Sequence, residues 1–137
     1  MMYIKLDKGA IMPERAHEED AGLDLKSPVT VLIPKGGSET IDTGVHVELP
    51  PSTVGMLKSK SGLNIKYGIL SEGVIDEGYS GSIRVKLYNH GPQPYLVNRG
   101  DKITQLVILP CMRPGIIVVD ALAETARGDR GFGSTGR

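Results

Sequence analysis

Ser82-Ile83-Arg84-Val85-Lys86-Leu87-Tyr88-Asn89 alternates without a break. Ile83, Val85 and Leu87 fall on one face, and Arg84, Lys86 and Tyr88 on the other. A strict period of two marks a strand, because successive side chains point to opposite faces. Immediately before it stands Gly73-Val74-Ile75-Asp76-Glu77-Gly78-Tyr79-Ser80-Gly81. Gly73, Gly78 and Gly81 allow backbone angles closed to other residues and let a ligand approach the main chain. The two stretches together read as a glycine-punctuated hairpin entering a strong strand, with Asp76 at the corner and Tyr79 on the way out. Aspartate is also an ordinary turn residue that bonds its own backbone. From this stretch alone, a structural and a chemical reading of Asp76 both stand.

Working outward, the chain repeats this grammar of short strands and turns. Strands are predicted at Tyr3–Leu6, in Ala21-Gly22-Leu23-Asp24-Leu25, and at residues 29–33, 39–41, 45–49 and 54–57. Further strands are predicted at Tyr95–Val97 and at residues 102–109 and 116–119. Leu23 and Leu25 point one way and Asp24 the other. Residues 102–109 are apolar on both faces after Gln105, which predicts burial on both sides. Residues 13–21 form a polar loop, and one short helix fits near residues 62–66. About ten short strands with scarcely any helical period argue for an all-β barrel or sandwich.

Bulk properties narrow the function. The length of 137 residues suits one domain. Sixteen basic residues balance sixteen acidic ones, so no overall field draws the chain to nucleic acid or to a membrane. With no Trp and a single Phe, the core must be aliphatic. The lone Cys111 cannot pair within the chain, which points to a reducing cytoplasm. Its setting after an apolar strand suits a packed thiol better than a nucleophile. The N-terminal residues lack the apolar core of a signal peptide, and no apolar run is long enough to span a membrane. His17, His46 and His90 are scattered, without the spacing of metal ligands.

The terminus breaks the pattern. Arg127-Gly128-Asp129-Arg130-Gly131-Phe132-Gly133-Ser134-Thr135-Gly136-Arg137 can form neither a regular strand nor a helix. A frayed end is one reading. Against it, the only Phe in the chain lies here, outside every strand. Successive glycine N–H groups can also cradle an anion, and Arg127 offers a planar fork for phosphate oxygens. It is not a P-loop, because Ser134 stands where the lysine belongs.

Five separated segments together resemble the trimeric dUTP diphosphatases (dUTPases). They are residues 21–25, Ser59-Lys60-Ser61-Gly62-Leu63, residues 73–81, Gly100-Asp101-Lys102-Ile103-Thr104-Gln105-Leu106, and Arg127-Gly128 with residues 131–136. They occur in that family's order and near its spacing over nearly the whole chain. The resemblance implies a distorted jelly-roll β-barrel of the dUTPase-like (β-clip) kind over residues 1–126, with at most one short helix. A flexible Gly-rich arm, residues 127–137, would close over the active site. It further implies a homotrimer with shared active sites, the substrate dUTP, and Mg²⁺ held through substrate phosphates and water rather than by protein ligands.

The residue roles implied by the resemblance make chemical sense. Asp76 is the base for the water that attacks the α-phosphorus. Tyr79 packs on the deoxyribose and excludes a 2′-hydroxyl. The backbone of Gly73, Val74 and Ile75 pairs with the uracil edge, a match that is costly to lose and therefore selective. Ser61, Gly62 and Gln105 hold phosphate oxygens. Arg127, Gly133 and Ser134 belong to the arm that grips the γ end, while Phe132 closes over the base. Asp24 supports the phosphate side rather than binding substrate directly. Lys60 departs from the family's usual arginine, keeping the charge but losing the bidentate fork. Arg84 matches a position near the base-binding edge, and a solvated strand charge is its other reading. The same residues leave two alternatives: a dCTP deaminase of the related fold, or a nucleotide-binding regulatory protein.

Overall fold

Strand alternation sets the architecture of the computed structural model, which describes residues 1–133 and 135–136. The described residues form ten strands and one helix. In chain order these are β1 (Tyr3–Leu6), β2 (Gly22–Lys26), β3 (Val31–Ile33), β4 (Ser38–Asp42), β5 (Val45–Glu48) and β6 (Thr53–Lys58). After them come α1 (Ser61–Tyr67), β7 (Ile69–Ile75), β8 (Arg84–Asn89), β9 (Tyr95–Val97) and β10 (Lys102–Pro110). Six strands make one antiparallel sheet in the order β2-β10-β6-β7-β8-β4, and β1-β5 and β3-β9 form two separate two-stranded sheets. The result is the expected all-β, distorted jelly-roll arrangement, a curled sheet rolled around one core.

The core is entirely aliphatic. Every buried hydrophobic residue is Leu, Ile or Val, including Ile83, Val85 and Leu87 from the alternating stretch. Burying each such side chain contributes about 1.5–3 kcal/mol. The partner residues Arg84, Lys86 and Tyr88 face outward, as the alternation dictates. Buried polar groups are satisfied. Asn89 donates through Nδ2 to the carbonyls of Ile33 (3.1 Å) and Gln93 (2.8 Å), and its Oδ1 accepts from the Gly91 N–H at 2.9 Å.

The helix is short because glycine stops it. Gly68 caps α1 in the left-handed conformation (φ 68°), and its N–H bonds the Asn64 carbonyl at 2.9 Å. The chain end of α1 then passes so close to Gly91 that a Cβ there would sit 2.1 Å from the Tyr67 carbonyl oxygen. This crossing fixes where the end of α1 passes the turn after β8.

Two expectations fail. Residues 116–119 form no strand: they are extended but exposed, with Ile116, Ile117 and Val118 almost fully so. A strand needs a neighbour to accept its hydrogen bonds, and the described residues supply none there. Second, β10 is not buried on both sides. Leu106 is buried, but Val107 is half-buried and Leu109 is exposed. The face away from the core is left uncovered by this single chain. From Met112 to Gly136 every described residue is exposed.

Candidate active site

One cluster gathers where β2, β6, β7 and β10 meet α1. Asp24, which alternates with Leu23 and Leu25 along β2, does not face solvent. It is buried, because two lysines cover it: Lys60 Nζ donates to Oδ1, and Lys102 Nζ lies 3.0 Å from Oδ2. Burial works to raise the pKa of this carboxyl, but the hydrogen bonds from Lys60 and Lys102 outweigh it and hold the group below the ordinary aspartate value. Lys102 in turn reaches Glu14 at 3.4 Å, and Lys26 reaches the same Glu14 oxygen at 2.9 Å. Glu14 is held low by the Lys26 hydrogen bond first, and Lys102 is held high by Asp24. The result is a chain of alternating charges: Lys26, Glu14, Lys102, Asp24, Lys60. It explains what a lysine does at position 60. An arginine fork would seek both Asp24 oxygens, but here the two oxygens are divided between two lysines.

Hydroxyls lock the same corner. Ser71 Oγ and Thr104 Oγ1 lie 2.7 Å apart, and Thr104 Oγ1 donates to the Lys58 carbonyl at 3.0 Å. Ser59 Oγ donates to the Ser71 carbonyl (3.1 Å) and accepts from the Ser71 N–H (2.9 Å). Gln105, opposite Asp24 in the β10–β2 register, donates Nε2–H to the Ser59 carbonyl at 3.1 Å. Its side chain lies over Gly22, where a Cβ would come within 2.5 Å of Oε1 and 2.9 Å of Cβ. Gly22 is glycine to make room for Gln105. Ser61 and Gly62 open α1 and are exposed. The first intrahelical bond is Asn64 N–H to the Lys60 carbonyl, so the N–H groups before it point outward without an intrahelical partner. The corner is a set of donors with a fixed geometry, suited to anionic oxygens.

The second cluster is the hairpin tip. β7 pairs with β8 only from Ile69 to Ser71, while Glu72 to Ile75 pair with β6. β8 meanwhile diverges to pair with β4 along Ser38–Asp42. Gly73, Val74 and Ile75 therefore keep one backbone edge unpaired, a slot flanked by two strands. Asp76 follows at the end of the slot, exposed. No hydrogen bond or ion pair among the described residues engages its carboxylate. Its neighbour Glu77 pins the tip: Oε2 accepts from the Ser52 N–H (3.1 Å) and from Arg113 (2.6 Å). Tyr79 folds back, its hydroxyl donating to the Ser82 carbonyl at 2.9 Å.

The glycines here work differently from expectation. Gly73, Gly78 and Gly81 are not among the residues with positive φ. Gly81 instead gives space: a Cβ would lie 2.4 Å from the Tyr79 hydroxyl. At Gly73 a Cβ would press on Leu57 at 3.1 Å, and at Gly78 nothing is nearby. Arg84 is exposed and faces Asp42, with Nε 3.6 Å from Oδ2, a contact of little strength in solvent.

The two clusters stand apart. Ser59 bonds Ser71, whereas Asp76 lies five residues further along β7; at about 3.3 Å per residue the separation is roughly 16 Å. Lys60, Ser61, Gly62, Gln105 and Asp24 share one end of the sheet. Gly73 lies only one register step from the row that joins Glu72, Lys58 and Gln105, and from it Val74 and Ile75 lead away to Asp76 and Tyr79. The tail joins neither. Arg127 Nε donates to the Arg130 carbonyl at 2.9 Å, and Phe132 and Gly133 are exposed. Ser134 lies outside the described residues.

Sequence reasoning did not single out Glu14, Gly22, Lys102 or Glu77. Lys102 and Gly22 sit inside quoted motifs and could have been weighed. Glu14 and Glu77 carry no local pattern, because their partners are brought close only by folding.

Comparison with known proteins places these clusters in context. The dUTPase family model matches residues 8–136. A deoxyuridine 5′-triphosphate nucleotidohydrolase from Crocosphaera subtropica is 47% identical over 136 residues, covering 97% of this chain and 96% of that protein. Its counterpart from Gloeothece citriformis is 46% identical over 135 residues, covering 96% and 93%. Among solved structures, the Staphylococcus bacteriophage 80alpha dUTPase with dUPNHPP superposes with a TM-score of 0.93 at 31% identity, covering 100% of this chain and 99% of that one. A dUTPase of phage phi11 of S. aureus, in which a structural Mg(II) ion is coordinated, superposes at 0.82 with 31% identity, covering 88% and 97%.

Proposed function

Since the chain belongs to the dUTPase family, we propose that it hydrolyses dUTP to dUMP and diphosphate, with Asp76 as the base. The observation that carries this reading is the half-paired β7 edge ending in an unengaged carboxylate. Uracil takes the place of the missing strand, matching its edge to the main chain of Gly73, Val74 and Ile75. A donor–acceptor pattern fixed in backbone rejects cytosine, and the narrow slot rejects a 5-methyl group. The Tyr79 ring walls the deoxyribose. Asp76 takes a proton from a water whose oxygen bonds the α-phosphorus. The bond from that phosphorus to the bridging oxygen breaks, and diphosphate leaves with the electron pair.

The donor corner holds the phosphates. The N–H groups opening α1, the Ser61 hydroxyl and the second amide hydrogen of Gln105 face the oxygens. Lys60 contributes through its bond to Asp24 and its charge rather than through a fork. Because the Asp76 tip lies well away from the corner on one chain, a complete site takes the hairpin from one copy and the corner from another, as in a homotrimer. The uncovered outer face of β10 and the exposed apolar residues 116–119 are the surfaces such an assembly buries. Arg127, Phe132, Gly133 and Ser134 then close as a lid. Arg84 borders the base slot.

Mg²⁺ is the cofactor of this reading. Among the described residues no three His, Cys, Asp or Glu side chains converge, and phosphate oxygens with water suit this hard cation. When bound it offsets triphosphate charge. No helix of the chain is long and apolar enough to cross a membrane, and the unpaired Cys111 suits a cytoplasmic setting. No observation favours the dCTP deaminase or the purely regulatory alternative.

The test is diphosphate release by the purified protein with Mg²⁺. The reading requires rapid release from dUTP and little from dTTP, with no ammonia from dCTP. Equal hydrolysis of dTTP, or none of dUTP, refutes it.

A further inference from the structure

His46 lies on β5, outside both clusters, yet it holds the turn that carries Tyr79. Its Nδ1 is 2.8 Å from the Ser80 carbonyl oxygen and its Nε2 is 2.9 Å from Asp7 Oδ2. A carbonyl oxygen can only accept, and an ionised carboxylate can only accept. A neutral imidazole has a single N–H. Both contacts therefore form together only when the ring carries two protons. The bond from His46 is also the only hydrogen bond recorded among the described residues that reaches residues 78–81 from outside the hairpin.

We propose that the doubly protonated His46 is a positioning residue for the Tyr79 turn, so that selection of the deoxyribose over ribose weakens as this ring loses its proton. The proposal rests on the role given to Tyr79 above. Tyr79 is half-exposed and its own hydroxyl bond is local, to Ser82. Ser82 is itself tied to Asp42 through its Oγ, which holds the hydroxyl end of the ring; among the described residues the Ser80 carbonyl is the point at which the turn directly after Tyr79 is held from outside the hairpin.

The surroundings of His46 favour the charged ring. From β1 and the turn after it come Lys5 and Asp7, with Lys5 Nζ 3.7 Å from Asp7 Oδ1. From the end of β4 comes Asp42, which accepts from Ser82 Oγ and the Gly44 N–H and faces Arg84. Glu48 of β5 and Tyr3 of β1 line the cleft of about 220 Å³ beside the ring. Three carboxylates thus stand against two cations, Lys5 and Arg84, the latter facing Asp42. The Asp7 hydrogen bond, followed by the Ser80 carbonyl, raises the pKa of His46 above its ordinary 6.5, with burial and then Lys5 acting against this. Asp7 is held low, chiefly by the same hydrogen bond.

The clamp is complete below pH 6.5; as pH rises through the elevated value in the folded protein, the single remaining N–H stays on Nε2 with the Asp7 carboxylate, the stronger acceptor, and the Ser80 bond is lost. Loss of one hydrogen bond of this kind corresponds to a change of roughly three- to ten-fold.

The experiment follows the imidazole and Tyr79 by NMR in the assembled protein without substrate. In parallel, kcat and KM are measured for dUTP and UTP across the same pH range. The expected result is a His46 ring carrying two N–H groups at low pH, with Tyr79 ring signals moving at the same midpoint. The preference for dUTP over UTP falls three- to ten-fold through that midpoint, mainly in KM. His46→Gln gives the relaxed preference at every pH and leaves only the inflection due to the nucleotide's own phosphate. Asp7→Asn, which keeps the histidine, moves the midpoint toward acid. A ring with one N–H at low pH, Tyr79 signals that ignore the His46 titration, or superposable profiles for wild type and His46→Gln would each overturn the proposal. Absence of dUTP hydrolysis refutes the functional reading instead, since the ring and Tyr79 signals are read without substrate.

Discussion

Replacing Asp24 by asparagine tests whether the alternating charges organise the phosphate corner. The side chain is 6% exposed and gives one oxygen to Lys60 and the other to Lys102. Asparagine keeps the shape but turns an N–H₂ toward one of the two ammonium groups, placing donor against donor. Hydrogen bonds to a buried charge contribute about 1.5–3 kcal/mol each. The lysines are 27% and 36% exposed, so water returns part of that on release. A net loss of about 2 kcal/mol is expected at neutral pH. The carboxyl sits below the ordinary aspartate value of 3.8 in the folded chain. Its contribution is therefore fully present above 3.8 and vanishes as pH falls through the lower folded value. Urea unfolding of wild type and Asp24→Asn at one fixed protein concentration should show the full gap at neutral pH and a shrinking gap in acid. Equal stability at neutral pH, or a gap that persists unchanged in strong acid, would refute the electrostatic account. In the same variant the KM for dUTP should rise a few-fold, because Lys60 and the start of α1 lose their anchor.

Three further outcomes follow from the site. Asp76→Asn should lower kcat by about 10²- to 10⁴-fold while leaving dUTP affinity nearly unchanged; turnover near wild type would remove Asp76 as the base. Gly22→Ala should push Gln105 aside and raise KM about as much as Gln105→Ala does, and the two changes together should add little more. Fully additive effects would show that Gly22 does not act through Gln105. Ending the chain after Ala126 should leave the assembly intact and lower kcat/KM by at least about ten-fold if the arm acts as a lid; unchanged kinetics would return residues 127–137 to the role of a frayed end.

The sequence made some of this legible and hid the rest for physical reasons. Alternation in residues 82–89 told the truth, because one face of β8 meets an aliphatic core and the other meets water. The strand ends at Pro34 and Pro50 were likewise visible, since proline cannot continue a ladder. The same periodicity could not show that Asp24 is buried, because its cover comes from lysines far along the chain. It also promised a strand at residues 116–119, where apolar, β-branched residues carry the propensity but no neighbour accepts their bonds. The hairpin glycines were recognised, but their purpose was not. Gly81 answers to the ring of Tyr79, and that contact is decided in three dimensions rather than by local backbone preference. Motif residues announced the site chemistry, while Glu14 and Glu77 became visible only through the partners that folding gave them. The roughly 16 Å between the donor corner and Asp76 could not be seen at all without the β6–β7 register.

That separation is the feature on which the account turns, and mixing two disabled chains tests it most directly. One chain carries Asp76→Asn, the other Ser61→Ala with Gln105→Ala; each alone should be nearly inactive. Unfolded together in equal amounts and refolded, they assemble at random, and about a quarter of the sites then draw an intact hairpin and an intact donor corner from different copies. Recovery of about that fraction of wild-type dUTP hydrolysis is predicted. Activity no greater than the sum of the two parents would contradict a site completed between chains.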